Sequence, residues 1–520
     1  MPDNPSSAIH NPNSSFKINF IVCLAVSVGI SIASITNQSL WIDEAATAWL
    51  ASHSTAYELV DTQIYTPYGE TQKLFYVWYI WAWAKFCGLS EYSIRFSNLP
   101  FLFIFLLTIQ WGMKNLLRNR WLWVLAALNP FIWFYMNEAR PYMGVMAFSA
   151  LAIVSFLIYV LEPTYKPKFM AWLCLLGLFI ATGMIMLGVF IIPSFLIALG
   201  WAYKRDWDKW KVFLKDWIWP SLIFLPFFLA LGGWFVWVTL YQGAKGRIET
   251  PSFLNSLFGL YEFLGFIGLG PPRNLLRSAP SLRTFFQEGY IVTSIVGLTC
   301  WIIVSIIITI NIRISGLSKK FSLMIIMFLV GIVSFHFVSH LVHFRYWGRH
   351  MAQYFPLFIF LVIAILADIS HKYRNVNLSN IAIYSLIVVW LLSSVRLAFL
   401  SGYGKDDYRG AVSYALSAVS NGGTILWAAD TFGASYYGLS CANDPLPKVF
   451  WPTPFKALSV VNWNEDQMSF ELINNTLPIV IAISKSDLFD SNHNIENELK
   501  KRNAQLIATS NTFRVYRLSR

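Results

Sequence analysis

Charge is what this chain has least of. Only 13% of its 520 residues are Asp, Glu, Lys or Arg, while 56% are hydrophobic and 17% aromatic; the mean hydropathy is +0.52. A soluble core cannot use that much apolar surface, so composition points to a polytopic helical membrane protein. Acids are scarcer than bases, 27 against 39, for a formal net charge of +12. In a soluble protein such an excess would suggest nucleic acid. Here the bases lie mostly in short loops between apolar runs, where the positive-inside rule accounts for them, and no nucleic-acid partner is expected. The five cysteines (Cys23, Cys87, Cys174, Cys300, Cys441) are too scattered for a disulfide framework or a CxxC metal pair. Internal repeats of the transporter kind and low-complexity tracts are also missing.

Long apolar runs are abundant. Eleven of spanning or nearly spanning length occur at about 17–36, 97–113, 121–136, 142–161, 169–183, 185–202, 217–240, 290–312, 321–340, 351–369 and 379–400. The first, after a polar tail at 1–16, reads as a retained signal-anchor. A shorter run, "LFYVWYIWAWAKFCG" at 74–88, is crowded with the aromatics that favour a membrane interface. If it lies in the interface and the N-terminus is cytoplasmic, the basic loops at 116–120, 165–168, 203–215, 311–320 and 371–375 all fall inside. If it crosses, all fall outside. The first arrangement obeys the positive-inside rule. It gives about eleven membrane helices over 17–400, with a first outer loop at 37–96 and a second at 241–289. From 401 to 520 the chain turns polar: "TILWAA", "PIVIAIS" and "TFRVYRL" read as strands and 406–419 as an amphipathic helix, a small extracytoplasmic α/β domain.

This parity gathers the unusual polar residues on one outer face. Asp43 and Glu44 follow the first span in "SLWIDEAATAWLA"; as first-turn acids they would also complement a helix dipole. Glu138 and Arg140 lie in "NEARPY", where they form either an ion pair at a span end or part of a site. "HFRYWGRHMAQYFP" sets Arg345 and Arg349 on the side where bases are disfavoured. Arginine forks match phosphate oxygens and stabilise charge on a departing phosphate, although lipid head groups would hold them too. His336, His340 and His343 recur at helical spacing with no clustered carboxylate, and no DxD-type or HExxH pattern accompanies them, so no metal site is assigned. The loop 241–289, with Lys245, Arg247, Arg273, Arg277, Arg283 and "GLGPPR", is long enough to be a lid or to lie on lipid head groups.

These segments resemble the GT-C membrane glycosyltransferases, in particular the protein O-mannosyltransferase and aminoarabinose-transferase-like branch that uses polyprenyl-phosphate sugars. "WIDEAATAW", "GLSEYSIRFSNLP", "FYMNEARPYMGVMAFSALA" and "RHMAQYFPLFIFL" stand in the family's order. The resemblance implies a GT-C fold, a polyprenyl-phosphate sugar as donor, and a hydroxyl acceptor on a protein, lipid or cell-surface glycan. It also implies Asp43 as the base, with Glu44 and Glu138 shaping an acidic site. Arg140 and Arg349 would hold the donor phosphate, with Arg345 and Lys73 as further candidates, and Tyr142, Tyr346 and His350 are candidate substrate contacts. The chain departs from the family where Lys73 sits about one position out of register without the usual prolines, and where His350 replaces a tyrosine. No cofactor is implied with certainty, and a divalent cation is left open. A bacterial-type plasma membrane is the expected location. Two other readings use the same residues: a lipid-linked sugar transporter or flippase, for which the scarcity of mid-span ionisable residues is unfavourable, and a non-catalytic assembly protein.

Overall fold

The computed structural model describes residues 12–65, 69–117, 119, 121–204, 206–240, 250–278, 290–372, 378–420, 422–444, 456–463, 467 and 478–518. Among them, eight helices are long and apolar enough to cross a membrane: Glu91–Leu117, Tyr142–Leu161, Pro167–Met184, Trp207–Leu240, Tyr290–Arg313, Lys319–Leu341, Gly348–Ile369 and Leu378–Phe399. Two further expected runs form shorter apolar helices, Phe20–Ser34 and Met186–Ala202.

The eleventh, 121–136, is not one helix but two, Val124–Leu128 and Pro130–Met136. Pro130 lacks the N–H that would continue the ladder, so it opens a new helix capped by Asn129, whose Oδ1 accepts from the Phe131 N–H at 2.9 Å. The Asn129 side chain also donates to the Phe263 carbonyl at 3.0 Å, so the break is satisfied inside the protein. The aromatic run at 74–88 forms the 14-residue helix Leu74–Cys87. At 1.5 Å per residue it is about 21 Å long, short of the roughly 30 Å hydrocarbon thickness.

The described part of the 241–289 loop is helical. Residues 250–278 form the helix Phe253–Leu264 and a short turn, Phe266–Gly268, that pack among the spans, burying Ser256, Glu262 and Phe263. The Leu264 carbonyl accepts from Trp301 Nε1 at 2.8 Å and Trp390 Nε1 at 3.1 Å, and the Gly268 carbonyl accepts from Arg396 at 2.9 Å. Backbone at this depth is tolerated because span side chains supply its partners. Lys245, Arg247 and Arg283 lie outside the described residues.

The C-terminal region is a six-stranded sheet in the order β2-β3-β1-β4-β6-β5. The strands are β1 (Thr424–Ala428), β2 (Ser440–Cys441), β3 (Lys456–Ser459), β4 (Ile479–Ser484), β5 (Gln505–Ser510) and β6 (Phe513–Leu518). The first four are parallel; β6 returns antiparallel to β4 and pairs with β5 as a hairpin. β1 and β4 are almost wholly buried, as continuous apolar runs between two covered faces should be. Tyr408–Ala418 covers one face.

Two membrane-length helices pack backbone to backbone where Gly177 of Pro167–Met184 meets Tyr142–Leu161. A Cβ there would sit 2.7 Å from the Ala152 nitrogen and 2.7 Å from the Phe148 carbonyl oxygen. Both neighbours are backbone, so no rotamer change relieves the contact. Gly177→Val should therefore push these helices apart and cost about 1–3 kcal/mol, the usual range for overpacking. A thermal melt in detergent would register this as a lowered Tm; an unchanged melt would show that the helices separate freely.

Candidate active site

The helix Ile42–Ala51 follows the first apolar helix, and its N-terminus carries Asp43 and Glu44. Successive helical residues diverge by about 100° around the axis, so adjacent acids cannot face the same way. Glu44 turns inward and is completely buried. Its carboxylate takes Arg95 Nη2 at 2.8 Å and Nε at 3.0 Å, Lys405 Nζ at 2.9 Å and the Ala139 N–H at 2.8 Å. Arg95 spends its other donors on the carbonyls of Thr36, Gln38 and Ser39 at 2.7–3.1 Å. Glu44 lines neither of the two cavities described below. The expected part for it in an acidic site is thus corrected: it fastens together the loop before it, the "EAR" turn, the Arg95 helix and the start of the C-terminal region.

Asp43 faces a cavity of about 740 Å³. Its Oδ2 lies 3.1 Å from Arg349 Nη1 and 3.7 Å from Arg140 Nη2. Arg140 is buried; its Nη1 donates to the Asp43 carbonyl at 2.6 Å, to Thr47 Oγ1 at 3.1 Å and to Glu70 Oε1 at 2.8 Å. Glu70 in turn holds Lys73 Nζ at 2.5 Å. Arg140 thus pairs with Glu70 and Asp43, not with Glu138. Burial raises the Asp43 carboxyl, but Arg140, Arg349, Lys73 and Lys485 outweigh it and hold the group well below the usual carboxylate range. Burial and the Arg140 charge push the Lys73 ammonium down to about 8, against the pull of Glu70 and Asp43.

The lining of the cavity is part charged and part apolar. Lys73, Arg140, Arg345 and Arg349 set four cations against the two carboxylates of Asp43 and Glu70. Tyr142 and His350 also line it, and Arg345 lies over the Trp347 ring at 4.9 Å. His350 Nδ1 accepts from the Trp347 N–H at 2.9 Å, which assigns the proton of the neutral ring to Nε2. Ile185, Met186, Leu187, Phe190, Leu240, Val338 and Val342, all at or near helix ends, supply the apolar part, with Thr239 and Ser339 between them in sequence.

Two expected residues are elsewhere. Tyr346 is fully buried and its hydroxyl bonds Ser256 and, at 2.8 Å, His336 Nδ1, so it is a packing residue and not a substrate contact in this arrangement. Glu138 lines a second, smaller cavity of about 150 Å³ with Trp41, Arg273, Trp347, Arg349, Lys405 and Lys485. It is buried, and its Oε2 has no hydrogen-bond partner among the described residues. Burial raises its pKa, against the pull of Lys405 and Arg273. Arg349 and Trp347 border both cavities.

Glu70, Arg95, Lys405 and Lys485 were not singled out by the sequence. Glu70 carries a local signal, the i,i+3 spacing in "ETQK". The two lysines carry none, because their partners, Glu44 for Lys405 and Asp406 for Lys485, are far away in the sequence. Among the described residues no group of three or more His, Cys, Asp or Glu could hold a metal ion.

No protein-family model matches the chain, and no curated protein matches it by sequence. Among solved structures it is similar to ArnT from Cupriavidus metallidurans bound to undecaprenyl phosphate, with a TM-score of 0.53, 10% identity, and coverage of 97% of this chain and 98% of that one. The chain has the GT-C fold. This GT-C architecture accounts for the whole layout at once: a helical membrane part, shorter helices between the spans that line the polar cavity, and a small sheet region at the C-terminus. At 10% identity the likeness extends to the fold alone.

The Glu44 cluster generates a pH test. Burial opposes its ionisation, yet Arg95 and Lys405 bring its pKa down to about 2 from an ordinary 4.5. A depressed carboxyl stabilises the fold above its ordinary pKa and loses that contribution as pH falls from about 4.5 towards 2. Glu44→Gln should lower stability at pH 7 by about 3–5 kcal/mol, because Arg95 is left buried without its anion. It should also flatten the acid limb in that window. Unfolding followed by tryptophan fluorescence from pH 7 to 2.5 checks both; an unaltered acid limb would show that Glu44 is not the group titrating.

Proposed function

We propose that this protein is an inverting glycosyltransferase that moves a sugar from a polyprenyl-phosphate donor to a hydroxyl acceptor at the extracytoplasmic membrane surface. The observation that carries the reading is a cavity lined both by a carboxylate set among Arg140, Arg349 and Lys73 and by apolar side chains from several helix ends. A polyprenyl phosphate has the same division, with a charged head and a hydrocarbon tail. The structurally similar transferase is described as bound to undecaprenyl phosphate, which supports the same class of donor here.

In the proposed reaction the acceptor oxygen attacks the sugar C1 from the face opposite the phosphate. The C1–O bond to phosphate breaks, polyprenyl phosphate leaves, and the acceptor proton passes to Asp43. Arg349 and Arg140 would take up the charge that develops on the leaving phosphate, and holding donor and acceptor in line supplies the rest of the advantage. In the free protein Asp43 is a weak base, because guanidinium groups depress it. A donor phosphate shared by those same guanidiniums would relieve the depression, so the base would gain strength only when donor is bound. Glu138 and the second cavity are suited to the acceptor side.

The outer-face assignment is supported by charge. The cavity lies at the Tyr142 end of Tyr142–Leu161, and the basic stretches 165–168 and 203–215 follow the opposite ends of their spans. In this orientation the C-terminal sheet is extracytoplasmic and the N-terminus cytoplasmic.

A panel of polyprenyl-phosphate sugars, scored for release of polyprenyl phosphate by purified protein, tests the reading. Wild type should release it with at least one donor, and Asp43→Asn should be slower by about 10²–10⁴-fold, the range for loss of a general base, while still binding undecaprenyl phosphate. Full activity of Asp43→Asn would remove Asp43 from the mechanism. Donor binding without turnover in both proteins would favour lipid handling instead.

A further inference from the structure

A third cavity, of about 480 Å³, lies at the other end of the helical bundle. Tyr142–Leu161 measures the separation: Tyr142 lines the large cavity, Tyr159 and Leu161 line this one, and the helix between them rises about 30 Å at 1.5 Å per residue. That is the hydrocarbon thickness of a bilayer, so the two cavities open at opposite membrane faces. Trp207–Leu240 gives the depth independently. Leu240 lines the large cavity; about 20 residues suffice to cross the hydrocarbon, which brings the chain to about residue 220. Asp216 is then about 6 Å beyond, at the level of lipid head groups.

Asp216 is the residue that needs explaining. It is 7% exposed, lines the cavity, and among the described residues has no cation in ion-pair contact; its one hydrogen bond is a long one, 3.4 Å, from the Tyr159 hydroxyl. A carboxylate at this depth is costly unless something positive meets it. The cations nearby are at the rim. Lys320 reaches the Leu116 carbonyl at 3.0 Å and Glu162 at 3.2 Å, and Lys319 is exposed beside it. Lys209 is paired with Asp206 and Asp208 with Lys211, so these charges are already answered. The remaining wall is apolar and aromatic, including Trp201 and Tyr203, the side chains that favour the interface.

We infer that this cavity is a binding site for a phospholipid whose head group carries a primary ammonium next to its phosphate, the phosphatidylethanolamine class. The ammonium would donate to Asp216, the phosphate would meet Lys319 and Lys320 at the rim, and the acyl chains would leave along the apolar wall. An anionic head group without an amine would satisfy the lysines but leave Asp216 bare. A quaternary ammonium would bring charge without the N–H donors that a carboxylate accepts.

Native mass spectrometry of the full-length protein, with dioleoyl phosphatidylethanolamine, phosphatidylcholine and phosphatidylglycerol in competition, tests the site. Wild type should retain one ethanolamine lipid in preference to the other two by about tenfold or more, the effect of one charge-assisted hydrogen bond. Excess undecaprenyl phosphate, directed to the large cavity, should not displace it. Asp216→Asn should erase the preference. Lys319→Met, which alters an exposed residue and spares the fold, should weaken retention of the ethanolamine and choline lipids alike. Equal retention of all three lipids by wild type, a preference for phosphatidylglycerol, displacement by undecaprenyl phosphate, or a preference unchanged in Asp216→Asn would each overturn the assignment. Should Asp216→Asn fail to fold, retention unchanged in Lys319→Met would overturn it as well.

Discussion

A single buried carboxylate organises this molecule. Glu44 has no exposure to water and satisfies its charge with Arg95, Lys405 and a backbone N–H of the "EAR" turn. Each partner belongs to a different stretch of chain, and each is bound again elsewhere: Arg95 to three loop carbonyls, Lys405 to the Asn137 carbonyl. The desolvation cost of such an ion is offset only when all of its partners are in place. The cluster therefore behaves as a unit, and the position of Asp43, one residue away, is inherited from it.

From that fixed point the chemistry of the large cavity follows by helix geometry. The peptide that turns Glu44 inward turns Asp43 outward, and the same backbone offers the Asp43 carbonyl to Arg140. Arg140 is thereby held from two sides, by that carbonyl and by Glu70, and Glu70 holds Lys73. Positive charge is kept close to Asp43 without being cancelled by it. The price is a carboxylate of low basicity in the free protein.

Much of this was legible in the sequence, because membrane proteins advertise their spans through hydropathy and their special residues through rarity. Asp43, Arg140 and Arg349 were conspicuous as charges at helix ends in a charge-poor chain, and they do meet. Glu44 was conspicuous for the same reason but faces the other way, a matter of one residue's rotation that adjacency in sequence conceals. Tyr346 was misplaced because a polar aromatic beside a functional arginine looks the same whether it faces a cavity or a helix. The division of the 121–136 run was signalled by Asn129-Pro130, yet overall hydropathy masked it. Lys405 and Lys485 were invisible because their partnerships, with Glu44 and Asp406, depend on how the C-terminal region docks.

The reach of Lys405 bears on how the protein is made. Glu44 leaves the ribosome before Arg95 and long before its second cation, Lys405, which follows Leu378–Phe399, the last of the described membrane-length helices. Until then the carboxylate is incompletely compensated and the small cavity lacks one of its walls. Docking of the C-terminal region is therefore the step that completes both the Glu44 cluster and the small cavity.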